Sequence, residues 1–171
     1  MKSNQKWFMN RINRNIILLL LYLYLFTSCT GYVIYSDKSE IESGIWEIKD
    51  SIVISASISD IEKICNVYIN LDIDENFLTN NLWLFISTKS PSGNIQSDSL
   101  MFYITDSKGK WFGKKRKSKI SNKFLYKNHI RFPEKGSYIF SIKHGMRNKD
   151  LPKVHSVGVS IEEAEETKES H

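Results

Sequence analysis

From about residue 44 onward, apolar and polar positions alternate with a period of two, the pattern of strands that bury one face. Ser51 to Ile58 places Ile52, Ile54, Ala56 and Ile58 on one face and mostly serines on the other. Ile64 to Ile73 repeats the alternation through Cys65, Val67, Ile69, Leu71 and Ile73. Leu82 to Thr88 (LWLFIST) is a near-continuous apolar run, suited to a central strand covered on both faces. Ile95 to Thr105 alternates again, with Leu100, Phe102 and Ile104 together. Further strands are predicted at Phe124–Phe132, Ser137–Lys143 and Val154–Ile161, and a short one at Ile45–Ile48 around Trp46. Turn formers stand between them, at Asp74–Asn81, Pro91–Asn94, Asp106–Gly109, Pro133–Gly136 and Asn148–Lys153. Roughly eight strands at intervals of about 8–12 residues, with no helical stripe, predict an all-β domain, an antiparallel β-sandwich or jelly roll.

The ends of the chain have a different character. Thr30 to about Gly44 is mixed and turn-rich, which assigns residues 29–43 to a tether and residues 44–161 to the sandwich. Glu162 to His171 holds five acidic residues, one lysine and no apolar face, so residues 162–171 are expected as a disordered tail. Upstream, eleven apolar residues run unbroken from Ile16 to Phe26, followed by Thr27-Ser28-Cys29. A spanning helix needs roughly 17–25 apolar residues. The run instead has the length of a signal-peptide core, and Lys2, Lys6, Arg11 and Arg14 supply its positive flank. A small residue before a cysteine at the end of such a core resembles a bacterial lipoprotein cleavage site. Residues 1–28 are then removed, and Cys29 is diacylated on sulfur and becomes the mature N-terminus. Phe26 stands where lipoprotein signals usually carry leucine, and an ordinary cleaved signal or an uncleaved anchor are the other readings. Met9 is an alternative start that shortens the charged flank.

Removing the signal changes the electrostatics. The whole chain has 24 basic and 19 acidic residues, but four of the basic ones precede residue 29, leaving 20 against 19. A globally basic, nucleic-acid-binding surface is therefore excluded. One cluster remains: Lys108, Lys110, Lys114, Lys115, Arg116 and Lys117, with Trp111 and Phe112 inside it. It is the candidate interaction surface, set against a solvated loop between strands. Lipidation of Cys29 also leaves Cys65 without a disulfide partner, and its place on an apolar strand face predicts a buried, inert thiol. The four histidines stand apart from one another, and neither a metal-ligand spacing nor a nucleophile elbow occurs. Asp72 and Asp74 are followed by ENFLTNN, which lacks the glycine and closing glutamate of a calcium loop. These residues point to no enzyme, cofactor or metal.

Two local patterns carry a family resemblance: SDSLMFYITDSKGKWFGK (Ser97–Lys114), with Asp98, Leu100, Asp106, Gly109, Trp111 and Gly113, and YKNHIRFPEKGSYIFSIKHGMR (Tyr126–Arg147), with Arg131, Phe132, Pro133, Gly136, Tyr138, Met146 and Arg147. With LWLFISTKSPSGN before them and the cysteine signal upstream, the chain resembles the gliding motility lipoproteins of the GldH family of Bacteroidota. The resemblance covers about Gly44 to Ile161; the basic run after Lys114 and the acidic tail depart from it. It implies a non-enzymatic component required for gliding, linked to the gliding and type IX secretion machinery. Such a protein is held by acyl chains, most simply in the outer membrane on its periplasmic side, and contacts other envelope proteins of that machinery. A carbohydrate- or ligand-binding envelope lipoprotein is the alternative, which requires Trp46, Trp83 or Trp111 to be exposed on one concave face.

Overall fold

The computed structural model describes residues 32–164, so Cys29, the apolar run before it and residues 165–171 lie outside the described residues. The described chain is all-β, as the alternation predicts. In order, the strands are β1 (Val33–Glu40), β2 (Ile45–Glu47), β3 (Ile52–Ile58), β4 (Cys65–Asp74), β5 (Asn81–Lys89), β6 (Ile95–Tyr103), β7 (Lys114–Arg116), β8 (Lys119–Ile130), β9 (Gly136–His144), β10 (Asp150–Pro152) and β11 (Val154–Glu163). A five-stranded sheet has the order β1-β11-β4-β8-β7 and a four-stranded sheet the order β3-β9-β5-β6. Strands β2 and β10 form a separate two-stranded ribbon, and every pairing is antiparallel.

The two larger sheets pack face to face through their alternating apolar positions, as a β-sandwich. Cys65, Val67, Ile69, Leu71 and Ile73 of β4 meet Leu82, Leu84 and Ile86 of β5 and Phe140 and Ile142 of β9 in one buried cluster. Each fully buried aliphatic side chain contributes about 1.5–3 kcal/mol relative to exposure. Along one side of the sandwich, β6 and β8 are stitched together. The Phe102 and Phe124 rings stack at 4.7 Å. The Tyr126 hydroxyl donates to Asp98 Oδ2 at 2.6 Å, and Lys127 Nζ reaches the same oxygen at 2.9 Å. The Tyr126 hydrogen bond, followed by that of Lys127, holds the Asp98 carboxyl below its ordinary range.

Four segments differ from the sequence expectations. The stretch assigned to a tether forms β1, paired with β11 from Val33↔Glu162 to Glu40↔Ser156. Its signal is weak because Ser36, Asp37 and Lys38 are exposed at a sheet edge and only part of one face is covered. Three residues assigned to the tail belong to the sheet: Glu162 and Glu163 lie in β11, Glu163 N bonds Tyr32 O at 2.9 Å, and Ala164 N bonds Ile64 O at 2.8 Å. Ladder hydrogen bonds, rather than apolar burial, carry the strand past Ile161. The polar turn at Asn148–Lys153 contains β10, which pairs with β2. The basic stretch expected as a loop between strands is a hairpin, β7–β8.

The sheet pairings assign every strand terminus to one of two ends. Val33, Cys65, Ile130, Gly136 and Glu163 share one end, because Val33 pairs beside Glu162, Cys65 pairs with both Glu163 and Ile130, and Gly136 pairs with Ile58. Glu40, Asp74, Tyr103, Lys119 and Val154 share the other.

His144 lies at the second end, 1% exposed, with its ring at 5.3 Å from that of Trp46 in an edge-on arrangement. Burial holds its pKa below the ordinary histidine value. A folded-state pKa below the unfolded one, about 6.5, means the unfolded chain binds more protons as the pH falls through that value. Stability should therefore fall as the pH drops below about 6.5, while Asp72 and Asp98, held low, stay ionised in both states above about pH 5. Urea melts of wild type and His144→Phe between these limits check the assignment: the wild type should lose stability with acid and the variant should stay flat.

Candidate interaction surface

The basic residues are brought together by two turns at the end of the sandwich that holds Lys119. In the first, Asp106 Oδ1 accepts from the backbone N–H of Lys108 at 2.8 Å and of Lys110 at 2.9 Å. Gly109 takes a φ of 78° to let that loop close. Lys108 and Lys110 are held outward, and Trp111 returns to form a bridge with Thr105, half-buried against the core. The next residue points the other way: Phe112 is 64% exposed.

Gly113 then carries the chain alongside β8. A Cβ at this position would lie 2.6 Å from Asn122 Oδ1 and 2.7 Å from the backbone oxygen of Ser121, so only glycine permits the approach. Lys114, Lys115 and Arg116 pair with Ser121, Ile120 and Lys119, and Lys117 makes the tight turn with a φ of 55°. All four of these cations are exposed.

The surrounding charges separate bound lysines from free ones. Lys115 pairs with Glu75, Lys119 with Asp72 at 3.6 Å, and Lys123 with Glu162 at 2.5 Å while resting 4.1 Å over the Tyr68 ring. Exposed pairs of this kind contribute up to about 1 kcal/mol each, so the strand ladder, not the ion pairs, holds the hairpin. Lys108, Lys110, Lys114, Arg116 and Lys117 take part in no ion pair among the described residues. Alternation carries no signal for the acidic partners Glu75 and Asp72, which come from β4 and the turn after it.

The remaining candidate chemistry is used structurally. Burial pushes Asp72 up, but hydrogen bonds from Ser121 and Ser156 and the ammonium groups of Lys119 and Lys38 outweigh it and hold the carboxyl low. Asp74 Oδ1 accepts from Asn76 N at 2.8 Å and Asn76 Nδ2 at 2.9 Å, capping a turn. Among the described residues, no group of three or more histidine, cysteine or acidic side chains is arranged to hold a metal ion. Cys65 is 1% exposed and burial pushes its thiol up. The three indoles share no face: Trp46 is buried at 1%, Trp83 is 42% exposed on β5, and Trp111 is half-buried in the loop after β6.

The residues behind the sequence resemblance are likewise fold determinants. The Arg131 Nε donates to Glu62 O at 3.2 Å, and Phe132 packs edge-on against Tyr138 at 4.8 Å. Tyr138 closes its turn by donating to Glu134 O at 3.1 Å. Met146 Sδ accepts from Trp83 N at 3.4 Å.

Residues 33–161 match the model of the family described as GldH lipoprotein, over almost all of this described architecture. The chain belongs to the GldH lipoprotein family. A relative named "Gliding motility lipoprotein GldH", from Flavobacterium johnsoniae, is 30% identical over 161 residues, covering 90% of this chain and 98% of that protein. A "Gliding motility lipoprotein GldH homolog" from Christiangramia forsetii is 28% identical over 159 residues, 88% of this chain and 96% of that protein. A family 35 carbohydrate binding module from Clostridium thermocellum aligns at a TM-score of 0.31 and 13% identity, over 72% of this chain and 97% of that one, which carries no argument about a ligand. The GldH lipoproteins are not a known enzyme family, and membership assigns this chain to the membrane-anchored proteins of the cell envelope. Among the described residues, no helix is long and apolar enough to cross a membrane.

Within this GldH-family domain, Gly113 gives a direct test of how the hairpin is seated. Gly113→Ala should cost about 1–3 kcal/mol, because the added methyl meets β8 backbone that cannot withdraw. Urea denaturation of the purified protein measures this, and a loss under about 0.5 kcal/mol would show that β7 packs less closely than described.

Proposed function

We propose that this chain is a lipid-anchored, non-catalytic component of the bacterial gliding machinery, held at the membrane through Cys29 and working by contact with other envelope proteins of that machinery and its linked type IX secretion system. The observation that carries the reading is the family match over residues 33–161, joined to relatives whose names specify gliding motility. The apolar run ending at Cys29 supports the anchor, and two acyl chains suffice for stable attachment where one does not. An outer-membrane position on the periplasmic side is part of the proposal.

The topology adds a direction. From Cys29 to the first residue of β1, Val33, an extended chain spans at most about 14 Å, so the anchor stays near the end of the sandwich that carries Val33. The twelve residues of β8 run from the basic hairpin toward that end and cover about 36–40 Å. The unpaired cations at Lys114, Arg116 and Lys117 are thus presented far along the domain from its attachment point. That arrangement suits capture of an acidic protein surface better than adhesion to the lipid that holds the anchor. Trp46 lies in the core and the other two indoles are separated, which favours this reading over glycan binding.

Two experiments check the proposal separately. A clean deletion should abolish colony spreading and leave growth rate unchanged; ordinary spreading would remove the gliding role. In wild-type cells the protein should fractionate with membranes, and Cys29→Ala should shift it to the soluble fraction. A variant that stays with membranes would remove the lipid-anchor assignment.

A further inference from the structure

Strand β8 is much longer than the strand beside it. Its twelve residues pair with β4 along one edge, but on the other edge β7 covers only Lys119, Ile120 and Ser121. The chain leaves β8 at Gly113, and Phe112 N bonds Ile104 O at 2.9 Å instead. From Asn122 onward, no second strand among the described residues takes up the backbone donors and acceptors of this edge. A cavity of about 1030 Å³ extends from the outward face of the five-stranded sheet, where Asp72 and Glu162 line it with their charges paired to Lys119 and Lys123 and Asp37 lies beyond them, to the vacated edge, where Tyr103, Phe112, Lys114 and Leu125 line it. Three of these apolar side chains face solvent: Tyr103 is 59% exposed, Phe112 64% and Leu125 47%.

We propose that this edge and cavity receive an extended segment of a partner protein, bearing alternating apolar and acidic residues, which pairs with β8 where β7 leaves it and so adds a strand to the five-stranded sheet. The proposal rests on the contact role above and specifies where and how that contact is made. Strand addition draws affinity from main-chain hydrogen bonds and selectivity from pockets that take alternate side chains. Here the backbone edge supplies the first and the space around Phe112, Tyr103 and Leu125 the second. Lys114, which lines the cavity and takes part in no ion pair among the described residues, selects an acidic residue in the remaining positions.

The register limits the length of the added strand. Pairing of β8 with β4 is regular from Lys119 to Leu125 and then shifts twice, on either side of Val67. Bulges of this kind twist an edge away and end pairing. With β7 occupying the edge through Ser121, a segment of about four residues fits along Asn122–Leu125 before the bulged region. Two other occupants fit poorly. Residues 165–171 (EETKESH) have no apolar side chain to place in the cavity. A second copy pairing antiparallel about Leu125 would set Lys123 of one copy opposite Lys127 of the other, and like charges directly opposite are unfavourable.

The test uses the full chain in cells of its own type, with the photo-crosslinking residue p-benzoylphenylalanine replacing Phe112, Leu125 or, on the outer face of the other sheet, Val53. Irradiation should give one discrete adduct, shared by the Phe112 and Leu125 positions and absent at Val53, whose crosslinked peptide is acidic and apolar. Lys114→Glu should lower adduct yield at least fivefold, and Lys114→Arg should leave it within twofold. Deuterium uptake by the amides of Asn122–Leu125 should be at least tenfold slower in the purified adduct than in the free protein. No adduct at either position, an equal adduct at Val53, a crosslinked peptide from this same chain, or unchanged amide exchange would each overturn the proposal. Loss of spreading in the deletion strain, with no adduct in the strain that carries the crosslinking residue, would remove the strand site and leave the gliding role. Free spreading of the deletion strain, with the adduct formed in the strain that carries the crosslinking residue, would do the reverse.

Discussion

The arrangement of this domain depends on how β11 is enclosed. It is hydrogen-bonded along one edge to β1 and along the other to β4, and nearly every residue from Val154 to Ile161 is buried. Its inward face supplies Val157, Val159 and Ile161 to the core, and its outward face is built from Ser156, Gly158 and Ser160. The small outward residues are required by geometry. A Cβ on Gly158 would lie 2.6 Å from Asp37 O and 2.8 Å from Lys38 Cβ, so any side chain there would push β1 off the sheet. Seating β1 this closely determines at which end of the sandwich the chain enters the domain.

That placement turns a charge cluster into a directional feature. A basic run has no address in a sequence; it becomes informative once the strand ladder places it at the end opposite Val33. On the proposed reading the domain has two ends with different physics. One carries Val33, where the described chain enters the domain, and is the end that the proposal ties to lipid through Cys29. The other presents exposed cations, Phe112 and an unfilled stretch of β8, at a distance set by strand length rather than by a flexible linker. Paired strands hold their exposed residues at fixed separations, which a disordered segment of equal contour length cannot do.

The sequence showed the strands that bury a face and concealed those that do not. Strands β3, β4, β5, β6 and β9 were legible because Ile, Val, Leu and Phe recur at every second position and the turns between them carry Pro, Gly, Asn and Asp. Strand β1 was missed because its Ser-Asp-Lys-Ser-Glu stretch has almost no apolar period, and it is held by the β11 ladder. Strand β7 (KKR) was missed for the same reason; all three side chains face water and the pairing is carried by backbone and by the opening that Gly113 provides. The candidate interaction residues were singled out by clustered charge with Trp111 and Phe112 inside it. What charge could not show was which lysines are neutralised by Glu75, Asp72 and Glu162, or that Tyr103 and Leu125, distant in sequence, line the same cavity as Phe112.

The central claim is that this domain works by contact through its basic end while its other end is held at the membrane. The most direct measurement is colony spreading by a strain carrying Lys114→Glu, Arg116→Glu and Lys117→Glu together, with Lys115 left in place to keep its pairing with Glu75. These side chains are exposed, so the fold, the cellular level and the membrane fractionation should match wild type. The account predicts that such a strain does not spread. Spreading at the wild-type rate, with the variant protein present in the membrane fraction at its normal level, would contradict it.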